Sequence, residues 1–216
     1  MRLDGYDAVP SMGPAILCAN HLSFIDSVVL MLTLERPVHF VGKADYLDSW
    51  TTRRLFPAMG MIPIDRNNGA RAMVALDAAA GVLARGGLLG VFPEGTRSRD
   101  GLLHKGYTGA ARLAVAAGCP ILPVGITGTD LIQPPGARLP RPRKRCTVSI
   151  GSQIPAPSAE TSGGRVGVRA LTDHVMHEIG VLSGQTYVAR YAPRSAPRTK
   201  SPKPQVRWSP RRLVHA

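Results

Sequence analysis

Short apolar runs alternate along this chain with longer stretches of helical period, and that alternation leaves few folds open. The runs are Ala15–Ala19, Val38–Val41, Met61–Ile64, Leu88–Phe92, Ile121–Ile126 and Cys146–Ile150. They are too short for stable helices and apolar nearly throughout, so they read as strands buried on both faces. The helical stretches are Ser27–Leu34, Thr51–Ala58, Ala70–Ala84, Thr108–Ala117 and Val166–Leu182. In the third of these, Met73, Leu76, Ala80 and Leu83 share one face. Gly86, Gly87 and Gly118 punctuate helix ends. The expected fold class is α/β: a single domain with a mixed, largely parallel sheet flanked by helices.

Residues 1–185 are expected to form this domain, since 216 residues suffice for one core. Residues 155–164 are rich in Pro, Ser, Gly and Ala and read as a long loop. Residues 186–216 read as a basic Pro/Arg-rich tail, too poor in apolar groups to fold. The net charge of +13 is uneven: residues 190–216 carry eight Lys/Arg and no acid, which leaves +5 for the rest. A second acid-free cluster is Arg138, Arg141, Arg143, Lys144 and Arg145. Such clusters suit anionic partners or simply stay solvated. No zinc spacing or interleaved aromatics accompany them, so nucleic acid is not an expected partner. Cys18, Cys119 and Cys146 lie far apart, beside or within apolar runs, and are expected to be buried free thiols. No metal is expected. His174 and His177 share a late helix with Glu178 and read as a solvated face. The N-terminus lacks a signal-peptide pattern, and no apolar run approaches the roughly 18 residues of a membrane span.

The chemistry is concentrated at Asn20-His21-Leu22-Ser23-Phe24-Ile25-Asp26. His21 would project from a strand end, with Asp26 in the first helical turn five positions on. A neutral imidazole steadied by a carboxylate can take a proton from a hydroxyl near neutral pH. The spacing alone also fits a core histidine beside a helix N-cap. A second segment, Phe92-Pro93-Glu94-Gly95-Thr96-Arg97-Ser98, shifts the balance. Two looser segments accompany them: Gly60-Met61-Ile62-Pro63-Ile64-Asp65-Arg66 and Ile121-Leu122-Pro123-Val124-Gly125. Together, and in this order, the four blocks resemble the glycerolipid acyltransferase family, in particular its 1-acylglycerol-3-phosphate (lysophosphatidic acid) acyltransferases. The resemblance covers about residues 13–150 and rests on the complete first and third blocks.

The resemblance implies a glycerol-3-phosphate acyltransferase-like fold. It implies transfer of a fatty acyl group from acyl-CoA or acyl carrier protein to the free hydroxyl of 1-acylglycerol-3-phosphate, giving phosphatidic acid; the alternatives are another lysophospholipid or lipid alcohol as acceptor, or a noncatalytic basic membrane-binding paralogue. His21 would be the base and Asp26 its orienting carboxylate, with no acyl-enzyme. Arg97 would hold the acceptor phosphate. Lys43 and Arg66 are further phosphate candidates, with Lys105 a weaker one. Gly95 would allow close backbone approach, Thr96 completes the phosphate-binding turn, and Glu94 would hold either the arginine or the loop. Asn20 and Ser23 would shape the turn. The helix from Ser27 would be buried or form one wall of an acyl channel, and Ile121–Gly125 would be structural. No cofactor is implied beyond the thioester co-substrate. The expected partners are a lysophospholipid acceptor, the acyl donor and an anionic membrane surface, approached peripherally from the cytoplasmic face. Members of the family it resembles usually carry a membrane-associating helical segment ahead of the first block. Only 20 residues precede His21 here, and Met1–Gly13 shows no amphipathic pattern, which leaves the mode of attachment open.

Overall fold

The computed structural model describes residues 1–43, 62–64, 69–134, 137, 141, 144–158, 160–161 and 163–193. The expected helix over 51–58, together with Arg66, Arg138, Arg143 and the far tail, lies outside them. Nine strands are described: β1 (Arg2–Asp4), β2 (Ala15–Ala19), β3 (Val38–Lys43), β4 (Ile62–Ile64), β5 (Leu88–Val91), β6 (Leu103–His104), β7 (Ile121–Thr127), β8 (Thr147–Ile150) and β9 (Tyr187–Val188). The described α-helices are α1 (Asp26–Thr33), α2 (Gly69–Ala84), α3 (Gly109–Ala117), α4 (Thr129–Ile132) and α5 (Gly164–Ser183).

Seven strands form one sheet in the order β1-β8-β7-β2-β5-β3-β4. β7, β2, β5, β3 and β4 run parallel, while β8 is antiparallel to β7 and carries β1 parallel to itself. The fold class is thus the expected mixed, largely parallel α/β sheet. β2 lies at its centre, and all five of its residues are buried because both faces are covered. Ile16, Cys18 and Leu89 pack on one face against α2, α3 and α5 through Ala79, Leu83, Ala111, Ala114, Val175 and Ile179. Leu17, Ala19 and Leu88 pack on the other against Val29 and Leu30 of α1.

Short elements escaped the sequence reading. β1 and a 3-10 turn over Tyr6–Ala8 occupy an N-terminal stretch that shows no periodicity. β6 and β9 form a separate two-stranded pair, with β9 inside the segment assigned to the tail. Two or three residues carry too little pattern to announce a strand.

The connections make a crevice. From β2 the chain crosses by α1 to β3, on one face of the sheet. From β5 it crosses by α3 to β7, on the other face. The carboxyl ends of the neighbouring strands β2 and β5 therefore open where successive crossovers part. Ligands of open α/β sheets bind in such crevices.

Candidate active site

The loop after β2 places His21 in this crevice, and its geometry is fixed by Asp26. His21 Nδ1 lies 2.8 Å from Asp26 Oδ2. The same oxygen accepts the backbone N–H groups of Leu22 at 2.7 Å and Ser23 at 2.8 Å. Asp26 opens α1, but its carboxylate turns back into the loop rather than capping the helix. That removes the N-cap alternative. Asp26 is fully buried, and its second oxygen, Oδ1, has no hydrogen-bond partner among the described residues. A proton on Nδ1, donated to the carboxylate, leaves the lone pair on Nε2. The imidazole is 16% exposed, enough for one edge to meet a ligand.

Its flat face is supported by aromatic rings. His21 stacks on Phe92 with centroids 4.0 Å apart and planes 14° from parallel. Phe92 stacks in turn on Phe40 at 5.6 Å. Phe40 lies across β5 at Gly90, where a Cβ would meet its ring at 2.3 Å. Only glycine leaves room for that ring.

The loop before His21 is anchored by Asn20, which is fully buried. Its amide accepts the Ile126 N–H at 2.7 Å and donates to the Ile126 carbonyl at 2.9 Å. It also donates to Gln185 Oε1 at 2.7 Å. Ser23 donates to the Gln133 carbonyl at 2.8 Å. Both residues therefore tie the loop to distant chain as well as shaping it.

The segment after β5 lies against this loop. Gly95 takes a left-handed conformation, φ 73°, closing a turn in which its N–H bonds the Phe92 carbonyl at 2.9 Å. Ser98 N–H then bonds the His21 carbonyl at 2.7 Å, so Arg97 is held beside the histidine. Arg97 is part-buried and makes no hydrogen bond or ion pair among the described residues. Thr96 is similarly half-open. Glu94 is 99% buried, with one oxygen accepting the His21 N–H at 3.3 Å and the other the His104 N–H at 2.9 Å. Of its two expected tasks it does the second: it holds the loop. Burial pushes its carboxyl up to about 7, against the pull of those two N–H groups.

Lys43 ends β3. Phe40 pairs with Gly90 and Gly90 with Leu17; Lys43 follows Phe40 by three residues along a parallel strand, as Asn20 follows Leu17. Lys43 thus ends its strand at the same edge of the sheet as the histidine loop; its side chain is outside the described residues, as is all of Arg66. Lys105 points elsewhere, over the Tyr191 ring. In α1, Val29 and Leu30 are buried but Leu32 is 75% exposed, so one side of that helix faces outward.

His104 and Asp100 went unread in the sequence. His104 Nε2 meets Asp100 Oδ1 at 3.1 Å, and Ser98 Oγ bonds the same carboxylate at 3.1 Å. The spacing of four between Asp100 and His104, directly after a recognised block, was the available signal. All three cysteines are buried and free. Burial drives the Cys18 thiol far up and Cys119 to about 11, so neither is a thiolate nucleophile. Among the described residues no three His, Cys, Asp or Glu converge on a metal position, and no helix is long and apolar enough to cross a membrane.

Fold and site together describe an α/β protein that holds a carboxylate-braced histidine at the carboxyl edge of its sheet, beside an arginine with no partner among the described residues. The Acyltransferase family model matches residues 1–127, more than half of the chain, and the chain belongs to that family. It is similar to the chloroplastic 1-acyl-sn-glycerol-3-phosphate acyltransferase of Arabidopsis thaliana, with 30% identity over 138 residues, 63% of this chain and 38% of that protein. The 1-acyl-sn-glycerol-3-phosphate acyltransferase of Salmonella typhimurium is 37% identical over 119 residues, 55% of this chain and 49% of its own length. That of Escherichia coli is 36% identical over 121 residues, 56% and 49%. The chain thus spans about half or less of the length of these curated relatives. The crystal structure of the 1-acyl-sn-glycerophosphate acyltransferase of Thermotoga maritima shares the fold, with a TM-score of 0.64 and 24% identity over 84% of this chain and 71% of that one.

Proposed function

We propose that this chain transfers a fatty acyl group from a thioester to the free hydroxyl of 1-acylglycerol-3-phosphate, giving phosphatidic acid for phospholipid synthesis. The observation that carries the reading is the His21–Asp26 contact, with Arg97, unpaired among the described residues, one residue from the Ser98 N–H that bonds the His21 carbonyl.

His21 Nε2 takes the acceptor hydroxyl proton as that oxygen attacks the thioester carbonyl. Asp26 stabilises the imidazolium and fixes its tautomer. As the tetrahedral intermediate collapses, the C–S bond breaks and the thiol leaves with the proton from Nε2. The C–O bond remains in the ester. The hydroxyl attacks directly, so no acyl-enzyme forms, in keeping with buried, protonated Cys18 and Cys119.

Arg97 binds the acceptor phosphate through paired N–H donors. Thr96 and the backbone at Gly95 complete that cradle, and Lys43 and Arg66 supply further positive charge. Glu94 acts through the loop, by gripping the His21 N–H. No metal or cofactor takes part beyond the thioester, which acyl-CoA or acyl carrier protein supplies.

The acceptor is presented at an anionic membrane surface on the cytoplasmic side. Exposed Arg141, Lys144 and Arg145, and the outward Leu32 and Leu131, support peripheral contact there. Transfer of labelled oleoyl-CoA to lysophosphatidic acid in anionic liposomes tests the reading. Phosphatidic acid formed by the wild type and absent with His21→Ala supports it. Product only from another lysolipid, or undiminished product from His21→Ala, sinks it.

A further inference from the structure

A groove of about 600 Å³ opens between α5 and the β6–β9 pair. Its size suits a small-molecule ligand. Lys105, His177, Gln185 and Tyr187 line it together with apolar Met176 and Val181. Two of these residues connect it to the site. Gln185 bonds Asn20, the residue before His21, at 2.7 Å. Lys105 directly follows His104, whose N–H is held by Glu94, the carboxylate that also holds the His21 N–H.

The Lys105 side is built for a different chemistry from the acceptor phosphate site. Lys105 has no carboxylate partner among the described residues; its ammonium lies 5.6 Å from the Tyr191 ring centroid. Tyr191 stacks on Tyr107 with centroids 4.6 Å apart, and both rings are nearly half exposed. The Lys105 N–H bonds the Arg190 carbonyl at 3.0 Å, and the Arg190 side chain is exposed. Asp173, the acid in the groove wall, is taken up by Arg169. The result is an exposed aromatic face with two cations, at a mixed polar and apolar groove whose Gln185 accepts a hydrogen bond from Asn20 of the histidine loop.

We propose that this groove is the docking site of the acyl donor, with a nucleotide-bearing thioester, acyl-CoA, as its occupant. The inference rests on the acyl-transfer reading. Tyr191 stacks against the purine. Lys105 and Arg190 meet the phosphates. The amide and methylene arm lies along Gln185, Met176 and Val181, and delivers the thioester to His21. A carrier protein offers no purine for the tyrosine pair.

Calorimetric titration of coenzyme A into the full-length chain tests this without turnover. Wild type binds, adenosine 3′,5′-bisphosphate competes, and Lys105→Glu and Tyr191→Ala each weaken binding by about tenfold. Circular dichroism checks that both variants are folded, and because the two substitutions lie on different elements, either one alone can report. No binding by wild type, or equal binding by folded variants, overturns the site. His21→Ala separates the two readings: it should bind coenzyme A like wild type while losing transfer. Transfer supported by oleoyl-acyl carrier protein, with no coenzyme A binding, overturns the groove and leaves acyl transfer standing.

Discussion

Two histidine–aspartate pairs flank the same glutamate, and each is the other turned inside out. In His21–Asp26 the carboxylate is fully buried and the imidazole 16% exposed. In His104–Asp100 the imidazole is 2% exposed and the carboxylate 44%. A pair of the first kind presents a ring nitrogen to a ligand and keeps its charge partner out of water. A pair of the second kind presents a carboxylate to water, where it is screened, and hides the ring. His104 Nδ1 is buried without a hydrogen-bond partner among the described residues. The same two residue types thus leave a ring nitrogen open in one loop and a carboxylate open in the next. Glu94 accepts a backbone N–H from the histidine of each pair.

The comparison breaks most directly at the histidines. His21→Ala should lower transfer by about 10³-fold, measured as phosphatidic acid formed, with the circular dichroism spectrum unchanged. Asp26→Asn should follow at about 10²-fold, because an amide can stabilise the wrong tautomer and cannot balance an imidazolium. Equal activity of Asp26→Asn and wild type would end the account of the first pair. Glu94→Gln should cost about tenfold, since its amide N–H faces one of two backbone N–H donors. Phe92→Leu should cost a few-fold in kcat by removing the ring beneath the imidazole. Asp100→Asn should change kcat by less than about twofold, as expected of an exposed pair. A larger effect would move the second pair into the reaction.

The pH dependence of stability sharpens the contrast, because the two carboxylates have opposite signs. Glu94 is raised by burial from 4.5 to about 7, so its contribution is full below 4.5 and is lost as pH rises toward 7. For Asp100 a desolvation push upward is outweighed by bonds from His104, the Leu102 N–H and Ser98, which leave it below 3.8. Its contribution is present above 3.8 and lost as pH falls through the lowered value. Thermal melts of Glu94→Gln across this range should lack the decline between pH 4.5 and 7. A melt series parallel to wild type would refute the burial argument.

The central strands were legible because parallel strands covered on both faces must be apolar at every position, as Ala15–Ala19 is. α2, α3 and α5 begin and end within two residues of their expected limits, since periodicity and glycines mark them. The His21–Asp26 spacing was legible as a local pattern. Asn20 was not: its partner is Ile126, 106 residues away, and no local pattern encodes that contact. Glu94 was legible only as part of a block, because the donors to its carboxylate are backbone N–H groups, which every residue but proline has. Phe92 read as the end of a strand; its stacking depends on Phe40 and on the missing side chain at Gly90.

The Asn20 amide behaves as one extra peptide group of β2. It offers Ile126 a carbonyl and an N–H in the positions where a neighbouring strand would, so the sheet gains a rung after its backbone has turned away. The Ile126 amide hydrogen can therefore meet solvent only when the histidine loop lifts from the sheet. Its deuterium uptake is a clock for that lifting, readable at one backbone position with no substrate present.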